Sequence, residues 1–145
     1  MIDNFFSAGD LIVQRLKNVI TAPAVIRIAP NQEWALANVL DRAISVIYWD
    51  DQPTSDSAGN GKYQTSEQYW LIVISLKNAQ NVGNAARQEV GSLVVDVLQA
   101  LQGYDLSINH KSLVRRRCPL RNPDKGIYVH VPLMFSTAIH ISATK

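Results

Sequence analysis

One cysteine, Cys118, stands among 145 residues, so the chain can form no internal disulfide and nothing in it points to an oxidising compartment. No apolar run approaches the roughly 20 residues that cross a bilayer. The N-terminal "MIDNFFSAGD" lacks the basic start and long apolar core of a secretion signal. These absences point to a soluble, cytosolic protein without a membrane partner. Charged residues make up only 18% of the chain against 47% hydrophobic, which excludes the polar, highly charged composition of disordered chains. The length suffices for one buried core and is short for two, so a single domain over residues 1–145 is expected. Internal repeats and low-complexity segments are missing as well.

Motifs that carry chemistry are equally scarce. "GNGK", Gly59 to Lys62, is too short for a nucleotide-binding loop, Tyr63 replaces the required Ser or Thr, and a strand pattern follows where a helix is needed. It reads as a hairpin tip. His130 and His140 would share a strand face, but ten residues of strand hold them about 33 Å apart. With His110 they show none of the convergent spacing of a zinc site. Asp50, Asp51 and Asp56 lack calcium-loop spacing and its terminal Glu, and read as residues ending a strand and solvating a loop. Cys118 beside Arg117 has a cation to lower its pKa, but no His or pocket is visible to complete a nucleophile. The chain is read as no enzyme, with no metal and no cofactor.

Hydrophobic patterning is what the sequence does possess. Ser7 and Asp10 read as a capping box, Phe6 and Leu11 as its hydrophobic staple, and Ile12, Leu16, Val19 and Ile20 as one apolar helix face that ends before Pro23. "AVIRI", residues 24–28, predicts a short strand closed by Pro30, and Asn31 can cap a weak helix in "NQEWALANVLDRA". "AISVIYWDD", residues 43–51, is β-branched and aromatic, as in a strand covered on both sides. "QPTSDSAGNGKYQTS" is loop chemistry, longer than a tight hairpin. In "EQYWLIVISLKN", residues 67–78, alternation places Tyr69, Leu71, Val73 and Ser75 on one side and Trp70, Ile72, Ile74 and Leu76 on the other. A helix over 84–102 carries the stripe Ala86, Val90, Leu93, Val94, Val97 and Leu101 and ends at Gly103. "SLVRRRC" and "GIYVHVPLMFSTAIHI" predict two further strands, with Pro132 marking an edge or a bulge. The fold class expected is α+β: a mostly antiparallel sheet of about four to five strands with two main helices packed on one face.

Charge is unevenly spread. Residues 1–106 hold 7 Lys and Arg against 11 Asp and Glu, and residues 107–145 hold 7 against 1, giving −4 and +6. Such asymmetry suggests one acidic and one basic side, suited to nucleic acid or to head-to-tail packing of like subunits. The basic part centres on "SLVRRRCPLRNPDKG", residues 112–126. In a strand, Arg115 and Arg117 point to one face and Arg116 to the other, and no aromatic interleaves them; Tyr128 is the nearest. That weakens the alternative reading, a small nucleic-acid-binding module built on the basic C-terminal part. A charged edge strand or an arginine-rich subunit interface remains.

Taken in order, "AISVIYWDD", a long polar loop, "YWLIVISLKN" ending in Lys77 and Asn78, the Ala85-Ala86-Arg87 helix start, Leu98, Leu101 and Gly103 at its end, and the late Pro132-Leu133-x-Phe135 resemble the tail terminator, or tail completion, proteins of long-tailed bacteriophages, notably Mu-like phages and their lambda-type relatives. The resemblance covers about residues 43–135. It implies a structural virion assembly protein, built in the host cytoplasm and resident in the virion tail. Such a protein forms a homo-hexameric ring on the end of the tail tube, stops tube polymerisation and offers a head-joining surface. The partners implied are further copies of itself, the tail tube protein and head-completion or neck proteins, with DNA only as cargo through the central channel. The expected subunit or tail-tube contact residues are Arg115, Arg116, Arg117, Arg121, Lys62 and Tyr63.

Overall fold

The computed structural model describes residues 2–39, 41–56, 59–77, 83–120 and 128–144. Its elements run α1 (Ser7–Val19), β1 (Val25–Ile28), α2 (Gln32–Ala37), β2 (Arg42–Asp56), β3 (Tyr63–Lys77), α3 (Gly83–Leu101), β4 (Val114–Arg116) and β5 (Tyr128–Ser142). The five strands form one sheet in the order β1-β2-β3-β5-β4. Every pairing is antiparallel except β1 with β2, which the short crossover through α2 makes parallel. The expected α+β class therefore holds, with one parallel pair added.

β3 is the middle of the sheet in a strict sense. It pairs with β2 from Gln64 to Leu76 and with β5 from Tyr63 to Lys77. Its alternation then divides the molecule. Trp70, Ile72, Ile74 and Leu76 enter the larger core with Ile12 and Leu16 of α1 and Val90, Leu93, Val97 and Leu101 of α3. Leu71 and Val73 point the other way, to Ala35 of α2, Ile47 and Met134, with Cys118 and Leu120 packed at the margin. The two long helices thus share one face, as their apolar stripes require, while α2 and the stretch after β4 cover part of the other. Arg15 joins the helices, its guanidinium 3.9 Å from the Tyr104 ring centroid and its Nε donating to the Ala100 carbonyl.

The long loop expected over residues 52–66 is mostly strand. β2 continues to Asp56 and β3 begins at Tyr63, so the polar composition belongs to the distal arm of a hairpin. The reason is tertiary: residues 63–67 of β3 are supported on their other edge by 138–142 of β5, so the backbone is paired although the side chains are hydrophilic. Register shifts at Tyr48/Asp50 and Pro53/Ser55 bend β2 along the way. Gly59 and Gly61, both at positive φ, form the tip, where the Lys62 N–H donates to Asn60 Oδ1.

Other local expectations divide in the same manner. Asn31 caps α2 by accepting from the Trp34 N–H at 2.8 Å. Gly103, at φ 71°, follows α3, and its N–H donates to the Leu113 carbonyl. Ser7, in contrast, does not cap α1: Phe6 occupies that position without a side-chain bond, and the Ser7 hydroxyl instead lies 3.4 Å from His110 Nε2. Val19, expected on the buried face, is exposed. Pro132 sits within β5 opposite Val73, two residues past the point where β4 stops at Arg116↔Met134. Its missing N–H therefore costs no ladder bond to β4 at the sheet edge.

α1 crosses the sheet with Gly9 against the Trp70 indole. A Cβ on Gly9 would stand 2.6 Å from Trp70 Cζ3 and 2.7 Å from Cη2, with Ile28 Cδ1 at 3.2 Å. Gly9→Ala is therefore expected to destabilise the protein by about 1–3 kcal/mol by overpacking, although alanine is the better helix former. Urea denaturation of the two forms measures this, and an equal or higher midpoint for the variant would show that the helix shifts at no cost.

Candidate subunit interface

The arginine tract lies on the outer strand of the sheet. β4 holds only three residues, Val114–Arg116, all exposed, because Leu113 before it turns into the larger core and Cys118 after it packs beside the smaller one. Alternation consequently does not run through Arg117. Arg115, Arg116 and Arg117 all border one hollow of about 410 Å³ over Pro132, Leu133 and Met134, where β5 extends beyond β4. Within β4 the expected split holds, since Arg115 pairs opposite Phe135 of the larger core and Arg116 opposite Met134 of the smaller one; Arg117 lies beyond the strand, and the three meet only at the rim of this hollow.

These cations are not an independent basic side. An Arg116 guanidinium nitrogen lies 2.9 Å from Glu67 Oε1, and Arg116 Nε donates to Ser136 Oγ at 2.9 Å. Arg117 shares a second hollow, of about 260 Å³, with Trp49, Asp50, Gln52 and Tyr69. The −4 and +6 halves of the sequence are thus interleaved here, because β2 and β3 bring their acids to the face on which β4 ends. Arg115 keeps its charge for solvent or a partner. Burial, followed by the nearby Glu67 carboxylate, pushes the Tyr69 phenol above its ordinary range.

Lys62 and Tyr63 form a separate patch at the hairpin tip. The Lys62 carbonyl accepts from the Ala143 N–H, and the Tyr63 ring stacks on His140 with centroids 6.5 Å apart. Arg115 pairs opposite Phe135 and Tyr63 opposite Ser142, so seven residues of β5, about 23 Å of strand, separate the patches. The structure does not gather the expected contact residues into one site. Arg121 lies outside the described residues.

Two exposed residues escaped the sequence reading. Trp49 was grouped with a strand covered on both sides, yet it sits at the β2 bulge and is 41% exposed, since the extra residue re-aims its side chain. Ile108 is 98% exposed in a polar stretch, and its only signal is an isolated β-branched residue in "DLSINH". Among the described residues no group of three or more potential ligands could hold a metal ion, and no helix is long and apolar enough to cross a membrane. His130 is buried with its Nδ1 2.7 Å from Ser75 Oγ, while His140 is exposed. Asp51 accepts from Tyr48 and Ser66 inside the hairpin.

Open sheet edges, exposed apolar side chains and charges shared between strands are features that protein–protein contacts use. The chain matches the phage tail terminator protein family over residues 1–145 and belongs to it, a family of structural tail components. Searching curated proteins returns no match. Solved structures share the fold at low identity. A chain of the sheath/tube terminator of the extracellular contractile injection system PVC, in the extended state, aligns with a TM-score of 0.60 at 13% identity, over 100% of this chain and 58% of that one. A chain of the native gene transfer agent virion aligns at 0.61 and 17%, over 95% and 99%. The tube-terminating cap of the anti-feeding prophage AFP aligns at 0.57 and 16%, over 99% and 56%. The protein thus spans little more than half the length of the first and third.

Arg116→Ser leaves the largely buried Glu67 carboxylate without its cation, and is expected to cost about 1–2 kcal/mol in stability. Arg115→Ser should stay within about 0.5 kcal/mol. Denaturation curves for both test the distinction, and equal midpoints would remove the ion pair from the account. Within the hairpin, burial first, then the hydrogen bond to Asp51, then the charges of Asp51 and Asp50 push the Tyr48 phenol up to about 12. The folded state therefore holds its proton more tightly than the unfolded chain, and stability should decline as pH rises from 10 towards 12. Ultraviolet titration should show Tyr48 ionising late, and earlier in Asp51→Asn. An ordinary tyrosine midpoint contradicts this.

Proposed function

We infer that the protein caps the end of a phage tail tube as a homo-hexameric ring, stops tube polymerisation, and presents its free face to head-completion proteins. The observation that carries this reading is the family match along the whole chain. The fold likeness to two tube-terminating proteins accords with it. The sheet suits the task physically. β1 and β4 end it with short outer strands, where unpaired backbone groups are available to neighbours, and two differing edges on one subunit favour heterologous contacts that close into a ring.

In this arrangement the protein resides in the virion tail after assembly in the host cytoplasm, contacts its own copies and the tube protein, and meets DNA only as cargo through the channel. Arg115 is the member of the arginine tract most available for subunit or tube contact, with Arg117 beside the exposed Trp49. Pairing of Arg116 with Glu67 reduces the cationic field that a nucleic-acid-binding module needs, so that alternative is set aside.

Polymerising tube protein with and without this protein tests the reading. Tubes should stop lengthening and carry a cap of sixfold symmetry by electron microscopy, and Arg115→Ser with Arg117→Ser should raise the protein concentration needed for capping by about tenfold, as the loss of one or two interfacial charge contacts does. Unlimited tube growth at saturating protein would overturn the proposal.

A further inference from the structure

Ile108 is presented by a rigid turn. The His110 N–H donates to the Ser107 carbonyl, Ser107 Oγ accepts from the Asn109 N–H and lies 2.7 Å from His110 Nδ1, and His110 is buried and bridged to Ile139 of β5. A side chain 98% exposed on so firm a support forms a preorganised apolar knob, with Lys111 beside it. At the other end of the sheet is an apolar hollow of about 220 Å³, walled by Ala22, Pro23, Leu76 and Leu93. Its rim carries Arg42, Glu89 and Asp96. Arg42 and Glu89 pair with each other, which leaves Asp96 as the net charge at the mouth.

We propose that the Ile108 turn of one copy seats in the Pro23–Leu76–Leu93 hollow of the next, with Lys111 facing Asp96. The contact deepens the ring reading above and rests on it. Knob and hollow lie near Thr65 and Leu76 respectively, eleven residues or about 36 Å apart along β3. One chain therefore cannot satisfy itself, and the contact is head to tail, the type that closes into rings. A two-fold contact of two Ile108 turns is disfavoured because it sets Lys111 against Lys111.

Disulfide trapping tests this. On a Cys118→Ser background, Ile108→Cys combined with Ser92→Cys, at the hollow's rim, is oxidised in free protein and in protein bound to purified tubes, with native mass and tube capping measured in parallel. A ladder of covalent multimers beyond the dimer is expected, whereas each single variant yields dimers at most. Assembled, capped tubes without the ladder overturn this contact and leave the ring reading intact. An Ile108→Cys single variant that dimerises as readily as the pair reacts points to the two-fold contact and overturns the proposal. No assembly in any form overturns both readings. A charge exchange on exposed positions supplies an independent check: Lys111→Asp or Asp96→Lys alone should weaken association about tenfold, and the double variant should recover it. Lack of recovery by the double variant argues against the pairing.

Discussion

Everything in this molecule hangs on the double pairing of β3. Strands on both of its edges pair its backbone along almost its whole length. The side-chain period of two then sends Trp70, Ile72, Ile74 and Leu76 to one core and Leu71 and Val73 to the other. A slip of one residue would exchange the cores and bring the Trp70 indole away from Gly9, the position in α1 that admits it. The placement of both long helices follows from this register.

The same sheet explains why the open surfaces are peripheral. Interior strands are consumed by the core, which leaves the outer strands, the hairpin tip and the turn before β4 open at the surface. β4 is short because Leu113 and Cys118 are drawn inward on either side of it. Its shortness exposes the hollow over Pro132 to Met134 and lets Arg116 reach across to Glu67. A surface so formed combines apolar side chains, partly neutralised charge and open backbone edges, a composition that suits protein–protein contact. The chain belongs to the tail terminator family.

Much of the fold was legible in the sequence where the signal is local. The alternation of residues 67–77, the stripe of α3, the Asn31 cap and Gly103 all act through backbone period or local conformation, and the structure contains each. Resemblance carried by "YWLIVISLKN" and the helix after it pointed to the right family, because those core-forming segments express the shared fold. The polar arm of the hairpin reads as loop because composition reports the side chains, whereas strand there depends on β5 arriving alongside. Ser7 reads as a cap because a serine near a helix start has two uses, and here its hydroxyl faces His110 instead.

What the sequence determined by itself was the periodicity of each core element and the uneven order of charges along the chain. Tertiary structure alone decided which charges meet, which arginine remains available, that a bulge turns Trp49 outward and that Ile108 stands on a rigid turn far from an apolar hollow. Local period is written into neighbouring residues and survives in any one segment. Pairing, exposure and complementarity arise only when segments distant in the chain occupy adjoining space.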